Sequence, residues 1–323
     1  MSVDTIDNRP SLTPGSADAT VVDSADKTNI LVNMVEHDYT GSQSVTSPRP
    51  SVEEMDFISF YRLRENPFAD CVNPEYFYRT EPHAEAIQRM LLTVQHDLSL
   101  GMVTGPSGSG KTLISQILLQ KLDRTRYEPV LILVSPGLSK TGLLREILSE
   151  LNLALPVGIS RMQDLLKLLH NHVIDLYHQG RRLVIMIDEC HFLSSDNLHI
   201  LRTISNIEIP ECKLVTCLLF GEEKFRKRLE HPTYDSLRTR MYMRCELDSM
   251  SLEDCRQYVK FRLMVAGSVT EVFDESAVQS LHLNSGGGCR SLSKLCMLSL
   301  LEGALREKAV VDAATVEACA ERA

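Results

Sequence analysis

The string Gly105-Pro106-Ser107-Gly108-Ser109-Gly110-Lys111-Thr112 sets glycines at its first, fourth and sixth positions and closes on a lysine and a hydroxyl. That spacing fits a phosphate-cradling loop, G-x-x-x-x-G-K-[ST]. A loop that wraps a phosphate must turn its backbone N–H groups inward, and glycines permit both the dihedrals and the close approach. A helix opening at Lys111 aims its positive end at the same anion. In such a loop Lys111 reaches the β- and γ-phosphates of a nucleoside triphosphate and Thr112 ligates Mg²⁺. Residues 105–112 are therefore the predicted nucleotide contacts, with ATP as the ligand.

A second set lies 77 positions after Lys111, where Leu183-Val184-Ile185-Met186-Ile187 runs into Asp188-Glu189. Alone, an apolar run ending in two acids is an ordinary strand end. Beside a phosphate loop, in a parallel sheet whose ligands sit at the carboxyl ends of the strands, it becomes chemistry. Asp188 then holds the metal, and Glu189 orients and deprotonates the attacking water. Cys190 and His191 follow. His191 either couples nucleotide state to a neighbour or caps the turn, and capping is the simpler reading.

These groups need a scaffold, and the hydropathy pattern supplies one. A helix over 83–96 shows Ile87, Met90, Leu91 and Val94 on one face. Strands are expected at 98–104, 129–135, 183–188, 214–220 and 243–247, and helices at 111–122, 141–152, 163–179 and 198–206. Strands alternating with helices imply βαβ units, hence an α/β fold with a mainly parallel five-stranded sheet flanked by helices. From Ser251 onward the pattern is purely helical. The expected organisation is a tail over 1–54, a nucleotide-binding α/β domain over 55–249 and a small C-terminal α-helical domain over 250–323. No internal repeat is visible.

The chain has 323 residues, 43% of them apolar, and a formal net charge of -9. The acidity is uneven, with nine acids against three bases in residues 1–54. That segment is rich in Ser, Thr, Asp and Pro and cannot bury enough apolar area to offset its ordering entropy, so it is predicted to be a disordered tail. Its mildly apolar stretch at 29–35 reads as passive rather than as a partner motif. The remainder is near neutral, so global charge argues neither for nor against nucleic acid. Nine cysteines at irregular spacing form no CxxC pair and no zinc-ligand cluster, which points to a reduced, cytoplasmic protein. Neither a signal peptide nor a run of about 18 apolar residues occurs, so no membrane span is expected.

Several separated motifs resemble the ExeA/GspA-type AAA+ P-loop ATPases and the related TniB/TnsC-type transposition ATPases. Phe60-Tyr61-Arg62-Leu63-Arg64-Glu65-Asn66-Pro67-Phe68 is similar to that group's opening segment. Asn73-Pro74-Glu75-Tyr76-Phe77-Tyr78, His83-Ala84-Glu85-Ala86-Ile87, Gly221, the segment 237–247 and Gly286-Gly287-Gly288-Cys289-Arg290 extend the likeness over about residues 57–320. The resemblance implies that Asn66, Pro67 and Phe68 lie near the adenine pocket. It implies that Arg240 or Arg238 is an arginine finger reaching the nucleotide of an adjacent subunit, and that Arg290 is a sensor contacting the γ-phosphate from a helical lid. The residue types alone also allow Arg238, Arg240 and Arg244 to be a solvated basic face. Where relatives usually carry Gly-Gln after the fourth strand, this chain has Gly221-Glu222, which leaves the other γ-phosphate sensor open between Glu222, Thr216 and a nearby group.

The resemblance implies a homo-oligomer with ATP at its subunit interfaces, and two loads for it. One is assembly of a secretion-type or pilus-type system through protein partners. Members of that class often continue into a membrane span and a cell-wall-binding domain, absent up to Ala323, which points away from a direct role in a cell-wall-spanning machine. The other is a transposition regulator on duplex DNA. The cluster Lys224, Arg226, Lys227 and Arg228 suits phosphates, but Glu222, Glu223 and Glu230 surround it, and a mixed-charge solvated helix face is the simpler reading.

Overall fold

The computed structural model describes residues 56–70, 73–155 and 161–322; the tail expected over 1–54, with its stretch at 29–35, lies outside them. Five strands form one sheet: β1 (Leu100–Thr104), β2 (Tyr127–Leu133), β3 (Arg182–Asp188), β6 (Val215–Gly221) and β7 (Met241–Glu246). A two-residue hairpin, β4 (Glu208–Ile209) and β5 (Cys212–Lys213), stands apart. The order across the sheet is β2-β3-β6-β1-β7, and every pairing in it is parallel.

Parallel pairing demands helical crossovers and buries both sheet faces. Strand β3 shows the consequence residue by residue. Leu183, Ile185 and Ile187 point into one apolar cluster with the helices α4 (Lys140–Glu150), α5 (Met162–His178) and α6 (Ser195–Ile204). Val184 and Met186, at alternate positions, point into the opposite cluster with α2 (Glu81–Gln95) and α3 (Lys111–Lys121). The run is apolar throughout because neither face meets water.

The helical region contains α9 (Leu252–Val265), α10 (Glu275–Ser285), α11 (Cys289–Leu305) and α12 (Ala313–Ala320). It shares a third apolar cluster with residues from the start of the described chain: Phe57 and Tyr61, at and just after the short helix α1 (Phe57–Phe60), and Leu63, Phe68 and Tyr76. Helix α9 opens on a capping box in which Ser251 accepts from the Asp254 N–H and Asp254 accepts from Ser251, so two otherwise orphaned donors are satisfied. Two short helices, α7 (Glu223–Leu229) and α8 (Asp235–Arg238), link β6 to β7.

The strand ends decide where chemistry can happen. Thr104 is level with Gly221 and with Glu246, and Leu133 is level with Asp188. All five carboxyl ends therefore share one edge. The chain leaves β1, crosses to β2, works back through β3 and β6, and then passes over β1 to β7, so the crevice for a ligand opens at the end of β1.

Candidate nucleotide site

The loop predicted to hold phosphates joins β1 to α3 at that edge. Gly108 (φ 76°) and Gly110 (φ 87°) occupy the left-handed region, where a side chain is strained. Gly110 caps α3, so Lys111 is its first helical residue and the helix axis points back at the loop. Lys111 is 5% exposed, and its Nζ donates to the carbonyls of Gly105 (3.1 Å) and Pro106 (2.6 Å) and to Ser109 Oγ (3.4 Å). Burial pushes the Lys111 amine below its ordinary pKa, opposed by the negative charges of Glu189, Asp188 and Glu222. The charges of these carboxylates thus act on Lys111 although the four residues come from three separate stretches of chain.

Asp188 ends β3 at 1% exposure, and its Oδ1 accepts from the Glu189 N–H at 2.8 Å. Its Oδ2 is buried without a hydrogen-bond partner, as is Thr104 Oγ1 at the end of β1. An anionic oxygen left unsatisfied at this point suits a hard divalent cation, and with the half-buried Thr112 hydroxyl at the start of α3 it makes a donor set that fits Mg²⁺. Glu189 is held in a left-handed turn (φ 54°, ψ 34°) that takes its half-exposed side chain off the strand line. Its Oε2 lies 3.2 Å from Nδ1 of His191, a ring that burial keeps below its usual pKa. Glu222 completes the group: its N–H faces the same His191 Nδ1 at 3.5 Å, and Lys224 binds its carboxylate at 2.7 Å and holds it below the usual range. Gly221 makes this approach feasible, because a Cβ there would stand 2.5 Å from Cys190 Sγ. Thr216, by contrast, sits near the start of β6 opposite Val184, at the far end of the sheet. Of Glu222 and Thr216, Glu222 is the one at the site.

Two further elements press on the loop. From α2, His83 reaches the Ser109 carbonyl through Nε2 at 2.8 Å. From α11, Arg290 NH1 donates to Ser107 Oγ at 3.3 Å, and a Cβ on Gly108 would lie 2.5 Å from Arg290 Cβ. A narrow cleft lined by Pro106, Ser107, Met250, Gly287 and Cys289 separates loop from helix. Asn66 and Phe68 are engaged within the protein. Asn66 Oδ1 accepts from the Phe68 N–H at 2.9 Å, and the Phe68 ring is buried against Tyr258 and Phe273. The Pro67 carbonyl accepts from Arg262 Nε at 2.5 Å. Neither Arg262 nor His83 was marked by sequence reasoning; His83 falls within a quoted family string, but nothing local assigned it a contact.

Arg240 lies elsewhere. It precedes β7, whose Met241 pairs with Leu100 at the start of β1, so it stands at the sheet edge opposite the loop, roughly 16 Å away at ~3.3 Å per residue. It donates to Asn206 Oδ1 there. Arg238 is bound to Asp235 (2.6 Å) and to the Glu230 carbonyl (3.1 Å). The basic cluster on α7 is neutralised locally: Lys224 pairs with Glu222, Lys227 with Glu223, and Arg226 with Glu223, Glu230 and Glu246. Arg228 donates to the Leu193 carbonyl and lies over the Tyr234 ring.

The family described as "AAA domain" matches residues 94–229. General secretion pathway protein A of Aeromonas hydrophila is 34% identical over 247 residues, covering 76% of this chain but 44% of that protein. The chain thus spans less than half the length of this curated relative. Among solved structures, the ORC1 protein of Aeropyrum pernix in complex with DNA superposes with a TM-score of 0.60 at 17% identity, covering 81% of this chain and 69% of that one. The ORC2 protein of the same organism gives 0.59 at 13% identity, covering 79% and 71%. At such identities the likeness is one of fold: a P-loop sheet with a helical region behind it. Among the described residues no helix is long and apolar enough to cross a membrane.

Proposed function

We propose that this chain, which belongs to the AAA+ P-loop ATPases of the ExeA/GspA type, binds ATP with Mg²⁺ in the crevice at the end of β1 and hydrolyses it to ADP and phosphate. The observation that carries the reading is Asp188 Oδ2, buried and unpaired at the carboxyl edge of the sheet where the phosphate loop closes on the buried Lys111. Backbone N–H groups of 105–112 and the N-terminus of α3 hold the β-phosphate, and Lys111 turns from its loop carbonyls to the β- and γ-phosphates. Asp188 and Thr112 hold Mg²⁺, which when bound neutralises phosphate charge. Glu189 orients a water against the γ-phosphorus and accepts its proton. The new P–O bond forms as the bond to the β–γ bridging oxygen breaks, and the electron pair leaves on ADP.

Two arginines complete the reading. Arg290 stands beside the loop on α11 and links loss of the γ-phosphate to movement of the helical residues 250–323, acting as a lid. Arg240 is at the wrong edge for its own nucleotide, which supports a role in a neighbouring copy, hence a homo-oligomer with ATP at the subunit interfaces. Residues 66–68, packed on α9 and α11, help seat those helices beside the nucleoside. As the load of the motor we favour assembly of a secretion-type or pilus-type system through protein partners, the context named for general secretion pathway protein A. The α7 basic cluster, spent on ion pairs, weakens the DNA alternative. The deciding experiment is phosphate release by purified protein with and without duplex DNA across a salt series, with Glu189→Gln as the blank. Turnover lost in the blank and indifferent to DNA supports the reading; DNA stimulation that fades with salt overturns the choice of load, and turnover retained in the blank overturns the assignment of the base.

A further inference from the structure

The N-terminus of α2 holds a histidine the reaction does not use directly. His83 is buried (9% exposed) and bonded at both ring nitrogens: Nδ1 lies 2.5 Å from Thr80 Oγ1, and Nε2 lies 2.8 Å from the Ser109 carbonyl oxygen. A carbonyl only accepts, so Nε2 carries the proton, and Nδ1 then accepts from the Thr80 hydroxyl. Burial favours this neutral ring. Thr80 stands at the N-cap of α2, where a threonine ordinarily accepts from the helix backbone, yet it makes no such cap bond and gives its hydroxyl to the ring. The Phe77 ring meets His83 edge-on at 5.4 Å, and a Cβ on Gly110 would come within 2.9 Å of Nε2. The imidazole is therefore fixed from three sides and rests directly on the Ser109–Gly110 peptide.

That peptide is part of the phosphate loop. In a trans peptide the C=O and the following N–H point in opposite directions. Drawing the Ser109 carbonyl outward to α2 therefore turns the Gly110 N–H to the side away from His83. We propose that His83, set in its tautomer by Thr80, is a positioning residue that aims the Gly110 N–H at the phosphate. This rests on the reading of the loop as a phosphate cradle. An N–H presented in advance spares the ligand the cost of ordering the peptide, and a hydrogen bond to a phosphate oxygen is of the charge-assisted kind.

The test is the affinity for ADP and for inorganic pyrophosphate by titration calorimetry, with Tm measured on each variant. His83→Phe keeps the ring and removes the donor; both affinities are expected to weaken by about tenfold to a hundredfold. His83→Gln places an amide N–H near the position of Nε2 and is expected to restore binding to within about threefold of wild type. A merely structural histidine would leave Gln and Phe equally impaired, and that result overturns the proposal. So does a His83→Phe protein that binds both ligands as wild type does. Should His83→Phe not fold, Thr80→Val decides instead, with a loss of about threefold to tenfold expected and an unchanged Kd overturning the proposal. A wild-type protein that binds neither ligand overturns the nucleotide reading itself, which separates the two failures.

Discussion

Replacing Gly108 by alanine adds one methyl at the point where the phosphate loop meets α11. Gly108 has φ 76°, so any L-side chain there incurs left-handed strain of about 1–2 kcal/mol. The added Cβ would stand 2.5 Å from Arg290 Cβ and 3.1 Å from Arg290 N. Carbon atoms sit comfortably at about 3.5–4.0 Å, so α11 or the loop must retreat by roughly 1 Å. Overfilling of this kind costs about 1–3 kcal/mol more. The expected total is roughly 2–5 kcal/mol, which at ~2–4 °C per kcal/mol lowers Tm by about 4–20 °C. If α11 instead lifts away with the fold intact, Arg290 leaves Ser107, and a displacement of ~1 Å at a reacting centre costs about a hundredfold in turnover. The assay pairs a thermal melt with single-turnover ATP hydrolysis. A variant with unchanged Tm and turnover within about twofold of wild type would refute the tight loop-to-helix contact and the role assigned to Arg290.

Other expectations follow from the same geometry. Glu189→Gln should reduce turnover by about 10²- to 10⁴-fold with little change in ATP affinity, checked by phosphate release alongside equilibrium binding. Arg240→Ala should leave nucleotide binding and Tm alone yet lower turnover of the assembled protein by about 10³-fold or more; mixing it with Lys111→Ala subunits should partly recover activity if the arginine serves a neighbour, and no recovery would count against that role. His83 predicts a pH dependence of stability. Burial holds its pKa below the ordinary value, against the opposing pull of the Ser109 carbonyl and Asp254. The unfolded chain binds the extra proton first as pH falls below about 6.5, so stability should drop there and stay flat above about 7.5. His191 contributes with the same sign, so the diagnostic quantity is the difference from His83→Gln, whose melts should slope less over pH 5.5–7.

Much of this protein was readable in one dimension, where chemistry and periodicity are local. The loop 105–112 announces itself because consecutive residues must supply both the glycine dihedrals and the lysine. The β3 run with its terminal Asp188-Glu189 does so because a doubly buried strand has to be apolar along its length. The helical pattern starts at Ser251, and α9 opens there because Ser251 and Asp254 cap it. All of these are set by near neighbours, and the expected elements fell within a few residues of the observed ones. What the linear pattern could not say is who sits beside whom. Strand order β2-β3-β6-β1-β7 decides that Asp188 ends one intervening strand away from β1, whose loop closes on Lys111, and register puts Thr216 at the other end of the sheet. Tertiary packing brings Phe57, Tyr61, Phe68 and Tyr76 onto helices almost two hundred positions later, engages the α7 lysines and arginines in ion pairs, and carries Arg240 to the edge remote from its own loop. It also presses His83 onto Ser109 across 26 positions. Such contacts follow from which buried faces pair and in what register, a property of the whole core that no local spacing encodes.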